Sequence, residues 1–145
     1  MPYADHTFDA TIVIDSAPEK IWTLLVDVAA WPSWDSGIIA ARGAADKVGA
    51  KLSVTSGAAP KTAFAVKVTK LDPRKELVIV GGAPFGLFKG VRTFTLTPEG
   101  KGTRFTMHEV YSGPLLGAIW KQIPDLDPSF QQFANGLKAQ AEARG

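Results

Sequence analysis

The chain has 145 residues, and its 16 Lys and Arg against 14 Asp and Glu leave a net charge of +2 spread in both signs. No basic cluster forms the footprint that nucleic acid requires, and no apolar run approaches the eighteen or so residues of a membrane span. With no cysteine, thiol mechanisms and disulfides are excluded and a reducing compartment is expected.

The length suits one domain over residues 1–145, burying about two thirds of its unfolded surface without metal or disulfide. The opening residues, MPYADHTFDA, lack the basic and apolar regions of a signal peptide, so a cytoplasmic location is expected. Residues 7–15 alternate, with Phe8, Ala10, Ile12 and Ile14 on one side and Thr7, Asp9, Thr11 and Val13 on the other. That spacing predicts a half-buried strand. Ser16-Ala17-Pro18-Glu19 fits a capping box, with Ser16 as N-cap and Glu19 at the third position. Ile21, Trp22, Leu24, Leu25 and Val28 then supply a helical stripe. This helix is short, because Trp31-Pro32-Ser33-Trp34 follows and the residue before proline resists helical geometry.

Residues 36–41 suit a brief strand and 42–49 a turn-rich link. Strands follow at 51–56, 62–71 and 75–80, parted by Gly57-Ala58-Ala59-Pro60 and by Asp72-Pro73-Arg74, both with turn chemistry. After a loop at 81–86 come two strands of about ten residues, 87–97 and 103–111. Separators this short make antiparallel hairpins. The fold class is therefore α+β, one antiparallel sheet with helices confined to one side.

Asp127-Pro128 reads as a second helix start, with Asp127 as N-cap. From there Phe130, Phe133, Ala134, Leu137 and Ala141 recur at helical spacing, while Gln131 and Gln132 fall on the other faces. Sixteen residues or so give a rod of roughly 24 Å, and the strands are the one thing it has to pack on. Pro124 and Pro128 interrupt this region. A short helix over 114–123, carrying Leu115, Leu116, Ile119 and Trp120, is expected before a kink, and it is a candidate lid.

The order of elements and three blocks of residues resemble the START-related, Bet v 1-like superfamily, whose bacterial members are often described as SRPBCC or polyketide cyclase/dehydrase proteins. The first block is Ile14-Asp15-Ser16-Ala17-Pro18-Glu19-Lys20-Ile21-Trp22, with Asp27 and Trp31-Pro32-Ser33-Trp34. Phe94-Thr95-Leu96-Thr97-Pro98 with Gly102-Thr103-Arg104 is the second, and Gly113-Pro114-Leu115 the third. The resemblance spans essentially the whole chain. It implies a helix-grip fold, a curved antiparallel sheet wrapped around the long C-terminal helix with an internal apolar cavity. Members differ widely in activity, so the function has to come from the site.

On that implied fold the cavity candidates are Val66, Val68, Leu77 and Ile79 from the middle strands, and Phe88 and Phe94 from the next. Phe105, Met107 and Tyr111 follow on the last strand, Ile119 on the short helix, and Phe130, Phe133 and Leu137 on the long one. Small residues at Ala63, Ala65, Gly90, Ala134 and Gly136 leave room where bulk would have filled a core. The charged candidates are Arg92 and Glu109, each the one charge on an otherwise apolar strand face, facing each other across the last hairpin. A buried charge needs a partner, and Arg with a carboxylate is the well-matched choice. They are either a structural ion pair or the handle for a ligand's oxygen. Lys89, Asp35 and Tyr111 are weaker polar candidates.

The remaining motifs are negative. His6 and His108 are the only histidines, His108 shares parity with Arg104 and Thr106 on the outer face, and no metal-ligand spacing occurs. Trp31 and Trp34 have no basic neighbours and are expected to pack the helical corner. The expected function is binding of a small hydrophobic ligand, lipid-, aromatic- or polyketide-like, by a monomer or homodimer with no cofactor, no metal, no nucleic acid and no stable membrane insertion. The alternatives are a cyclase or dehydratase using Glu109 and Arg92, and a regulator docking a partner through exposed aromatics.

Overall fold

The computed structural model describes residues 7–82, 89–114 and 126–143. Strand β1 (Thr7–Ile14) leads into helix α1 (Pro18–Val26) and a 3₁₀ segment, Val28–Ser33. Six strands follow: β2 (Ile38–Arg42), β3 (Lys51–Ser56), β4 (Phe64–Asp72), β5 (Glu76–Gly82), β6 (Lys89–Glu99) and β7 (Gly102–Ser112). Helix α2 (Asp127–Glu142) closes the chain. The strands form one antiparallel sheet in the order β1-β7-β6-β5-β4-β3-β2, so every neighbour after the first pair is a hairpin partner in sequence. This is the curled half-barrel of a helix-grip fold. No helix among the described residues is long and apolar enough to cross a membrane.

The period-two patterns set which face is buried. Along β1, Phe8, Ala10 and Ile14 are buried while Asp9, Thr11 and Val13 face out. Along β7, Thr103, Phe105, Met107, Glu109 and Tyr111 are all buried. Irregular register in β4 between Val68 and Lys70 lets Leu71 face inward beside Leu77, as Val68 does beside Ile79.

Helix α2 buries Phe130, Phe133, Ala134, Gly136, Leu137 and Ala141 and leaves Gln131 and Gln132 exposed, as its spacing predicts. The Phe133 ring is the hub of the core. The rings of Trp31, Trp34, Phe94 and Phe105 lie 4.9, 5.2, 5.8 and 6.2 Å from it, centre to centre. Trp31 and Trp34 are therefore corner packing, and Trp31 Nε1 donates to the Leu24 and Leu25 carbonyls that α1 leaves open at its end.

Several expectations need correction. Ser16 is not the N-cap of α1: Ala17 holds that position with no side-chain cap bond, because Pro18 takes the first helical turn. The Ser16 carbonyl instead accepts a hydrogen bond from Thr103 Oγ1 at 2.9 Å, tying the corner to β7. Asp127 lies inside the first turn of α2, with Leu126 as N-cap, and its carboxylate accepts from the Asp9 amide at 3.4 Å. Ala63 and Ala65 do not border the interior. The inward set of β4 is Val66 and Val68, so Ala65 points to solvent, and Ala63, just before the strand, is exposed as well. The short helix expected over 114–123, its kink and the candidate lid lie largely outside the described residues, as do Phe88 and Ile119.

Candidate functional site

The site is built where the last hairpin passes the amino end of α2. Arg92 and Glu109 are direct cross-strand neighbours, both on the inner face. Glu109 Oε1 accepts two hydrogen bonds, from Arg92 Nε at 2.7 Å and Nη2 at 2.5 Å. Only 20% of the arginine side chain and 10% of the glutamate side chain are exposed, so water screens this pair poorly. The Phe130 ring, from the first turn of α2, lies 4.6 Å from Arg92 Cζ and covers one face of the guanidinium.

Two neighbours make room for the pair and complete it. Gly90 faces inward two residues before Arg92, and a Cβ there would stand 2.7 Å from Glu109 Oε2 and 2.9 Å from the Tyr111 ring. The space a side chain would have taken is filled by those two groups. Tyr111 is buried, and its ring meets Phe8 edge-on at 5.8 Å, while Phe8 also touches Phe130 at 5.9 Å. Burial first, then the charge of Glu109, pushes the Tyr111 hydroxyl well above its ordinary value of 10.0. The phenol is thus held as a neutral donor beside a carboxylate.

Beside this cluster lies a pocket of about 40 Å³, bordered by Arg92, Met107, Phe130 and Phe133. It is completed by Ser36, Gly37 and Ile38, by Ser56, and by Leu126 and Ser129. At ~10–15 Å³ for each water-sized group it holds about three or four of them. This pocket by itself is smaller than the ~300–1,000 Å³ of an ordinary ligand site.

Of the residues expected from sequence, Arg92, Met107, Phe130 and Phe133 meet at this pocket, with Glu109 and Tyr111 in contact with Arg92's side. Val68, Leu77, Ile79, Phe94, Phe105 and Leu137 are buried in the hydrophobic core, and Val66 is half-buried. Lys89 is exposed, His108 faces out against the Asp9 carboxylate, and Asp35 accepts from Gln132 Nε2 at 2.8 Å on the surface. The polar rim of Ser36, Ser56 and Ser129 was not anticipated. Ser129 was legible, since it precedes Phe130 and sits one turn before Phe133; Ser36 and Ser56 come from segments that only the folded chain brings there.

The comparisons with known proteins agree with this fold. Residues 5–142 match the family described as polyketide cyclase / dehydrase and lipid transport. No curated protein matches the sequence. Among solved structures, protein MLL2253 from Mesorhizobium loti is 22% identical with a TM-score of 0.71, covering 95% of this chain and 97% of that one. A START superfamily protein from Mycobacterium smegmatis is 14% identical with a TM-score of 0.69, covering 97% and 99%. The di-domain ARO/CYC StfQ from the steffimycin biosynthetic pathway is 15% identical with a TM-score of 0.69, covering 96% of this chain and 51% of that one. At these identities the structures establish the shared fold, and the family match over nearly the full length establishes the lineage: the chain belongs to the polyketide cyclase / dehydrase and lipid transport family.

Proposed function

We propose that the protein holds a small, largely apolar molecule between the sheet and the amino end of α2, with one oxygen of that molecule against Arg92. The observation that carries this reading is an ion pair set into an apolar face at the border of a void. Two Leu-sized side chains in place of a buried pair are often neutral or better for stability, so a charge pair at this position points to a use beyond packing. The family includes lipid transport and cyclase chemistry, and both handle apolar molecules that carry oxygen.

A second reading, chemistry on such a molecule, is favoured by Tyr111. A phenol kept protonated beside a carboxylate and a guanidinium supplies a donor, a base and a cation in one cluster, the parts needed to move a proton at a carbonyl compound. Binding is the primary reading, because every step of that chemistry requires it.

The test is a titration with Nile red, a neutral apolar dye, followed by displacement with naphthalene and 2-acetylnaphthalene. Saturable dye binding is expected in the wild type. In the double variant Arg92→Leu/Glu109→Met the dye is expected to bind as before, while 2-acetylnaphthalene loses its advantage over naphthalene. Unchanged displacement by both competitors in the folded double variant would make the pair scaffold.

A further inference from the structure

Resting on the binding reading above, we propose that this site selects an uncharged oxygen, a ketone or hydroxyl, and rejects a carboxylate. Arg92 is the one charged side chain bordering the pocket among the described residues, and it arrives with its counter-charge already in place. Both of its bonds to Glu109 leave from Nε and Nη2, so the Nη1 corner stands outside the ion pair. Phe130 covers a face of the guanidinium, and the rim contributed by Ser56 and Ser129 is neutral.

The charge balance follows from these contacts. A site built for an acid presents its cation uncompensated, so that the ligand's carboxylate becomes the counter-ion. Here a carboxylate would bring a second anion within a few ångströms of Glu109, with one guanidinium between them. The site would then hold a net negative charge with little water to screen it. A carbonyl or hydroxyl oxygen takes a hydrogen bond from the same guanidinium and leaves the site neutral. The pocket of about 40 Å³ fits such a compact head group, with the ligand's apolar body lying along the aromatic wall of Phe130 and Phe133.

The experiment uses the full chain loaded with Nile red at pH 7.5 and three competitors sharing one ring system: naphthalene, 2-acetylnaphthalene and 2-naphthoate. The expected order of potency is 2-acetylnaphthalene, then naphthalene, then 2-naphthoate, with at least a tenfold gap between ketone and acid. Partition into an undifferentiated apolar space would instead put naphthalene level with the ketone or ahead of it, and that order overturns the inference. In the Glu109→Gln variant Arg92 is left uncompensated, and the acid is expected to gain at least tenfold relative to the ketone. A folded Glu109→Gln protein with an unchanged ratio overturns the inference. Should that variant not fold, the wild-type order of the three competitors decides alone. Dye that binds saturably while the acid displaces it best sinks the charge selectivity and leaves the binding reading standing. Dye that does not bind at all sinks the binding reading, and the selectivity with it.

Discussion

Both Arg92 donors end on a single Glu109 oxygen, so each residue depends on the other for its place on an apolar face. Replacing either alone with an apolar residue strands a charge, and a loss of about 3 kcal/mol is expected, the low end for a buried pair given their residual exposure. The double replacement is expected to cost under half of that, as urea unfolding of the four proteins in the cycle would measure. Tyr111 gives a second prediction through pH. Its ionisation is held above the ordinary value of 10.0, so the unfolded chain ionises first as pH rises. The stability it contributes is complete below about pH 10 and is lost progressively above it. Between about pH 9 and 11.5 the urea midpoint of the wild type is expected to fall more steeply than that of Tyr111→Phe. Parallel curves would remove Tyr111 from the buried cluster.

Among the elements, α2 carries the clearest conflict between local and tertiary demands. Glycine inside a helix costs about 1 kcal/mol against alanine, yet Gly136 lies in the middle of this one. A Cβ there would stand 1.8 Å from the Asp35 carbonyl oxygen and 3.3 Å from the Trp34 ring. The helix axis is thereby allowed to lie directly on the segment after the 3₁₀ turn, which brings Ser36 and Gly37 to the pocket. Gly136→Ala is therefore expected to destabilise by about 2 kcal/mol or more, since overpacking against backbone outweighs the gain in helix propensity. A rise in melting temperature would show that the close approach is not real.

For the molecule as a whole, the carboxyl end of α2 fastens the edge strand near the start of the chain. Glu142 Oε2 accepts from the Asp15 amide at 2.8 Å and from Lys138 Nζ at 2.5 Å, while Lys138 also donates to the Val13 carbonyl at 3.0 Å. The Lys138 contact first, then the Asp15 amide, hold the Glu142 carboxyl below its ordinary value of 4.5. A depressed carboxyl contributes stability that is present above the unfolded value and disappears as pH falls through the folded one. Glu142→Gln is expected to lower stability at neutral pH by no more than about 1 kcal/mol, the pair being at the surface. It is also expected to flatten the decline between about pH 5 and pH 3, measurable by urea unfolding across that range. An equally steep decline in the variant would mean that the clasp contributes nothing to closure.

What the sequence determined by itself is everything that depends on neighbours along the chain. Period-two alternation sorted the faces of β1, β6 and β7, and the 3.6-residue stripe from Phe130 to Ala141 named the buried side of α2. Parity and a short hairpin together placed Arg92 opposite Glu109. The errors were of two kinds. At the helix starts, Pro18 took the first helical position and displaced Ser16 from the cap expected of it, while α2 begins one residue earlier than expected, with Leu126 as N-cap and Asp127 in the first turn. In β4, parity seated Val66 and Val68 inward and turned Ala65 to solvent, while Ala63 falls in the exposed link before the strand, a choice that two small apolar residues cannot signal. Tertiary structure alone decided how far the grip closes. Whether a ring fills a cavity or borders one depends on distances between segments a hundred residues apart, such as Asp35 and Gly136, and no local pattern encodes a distance of that kind.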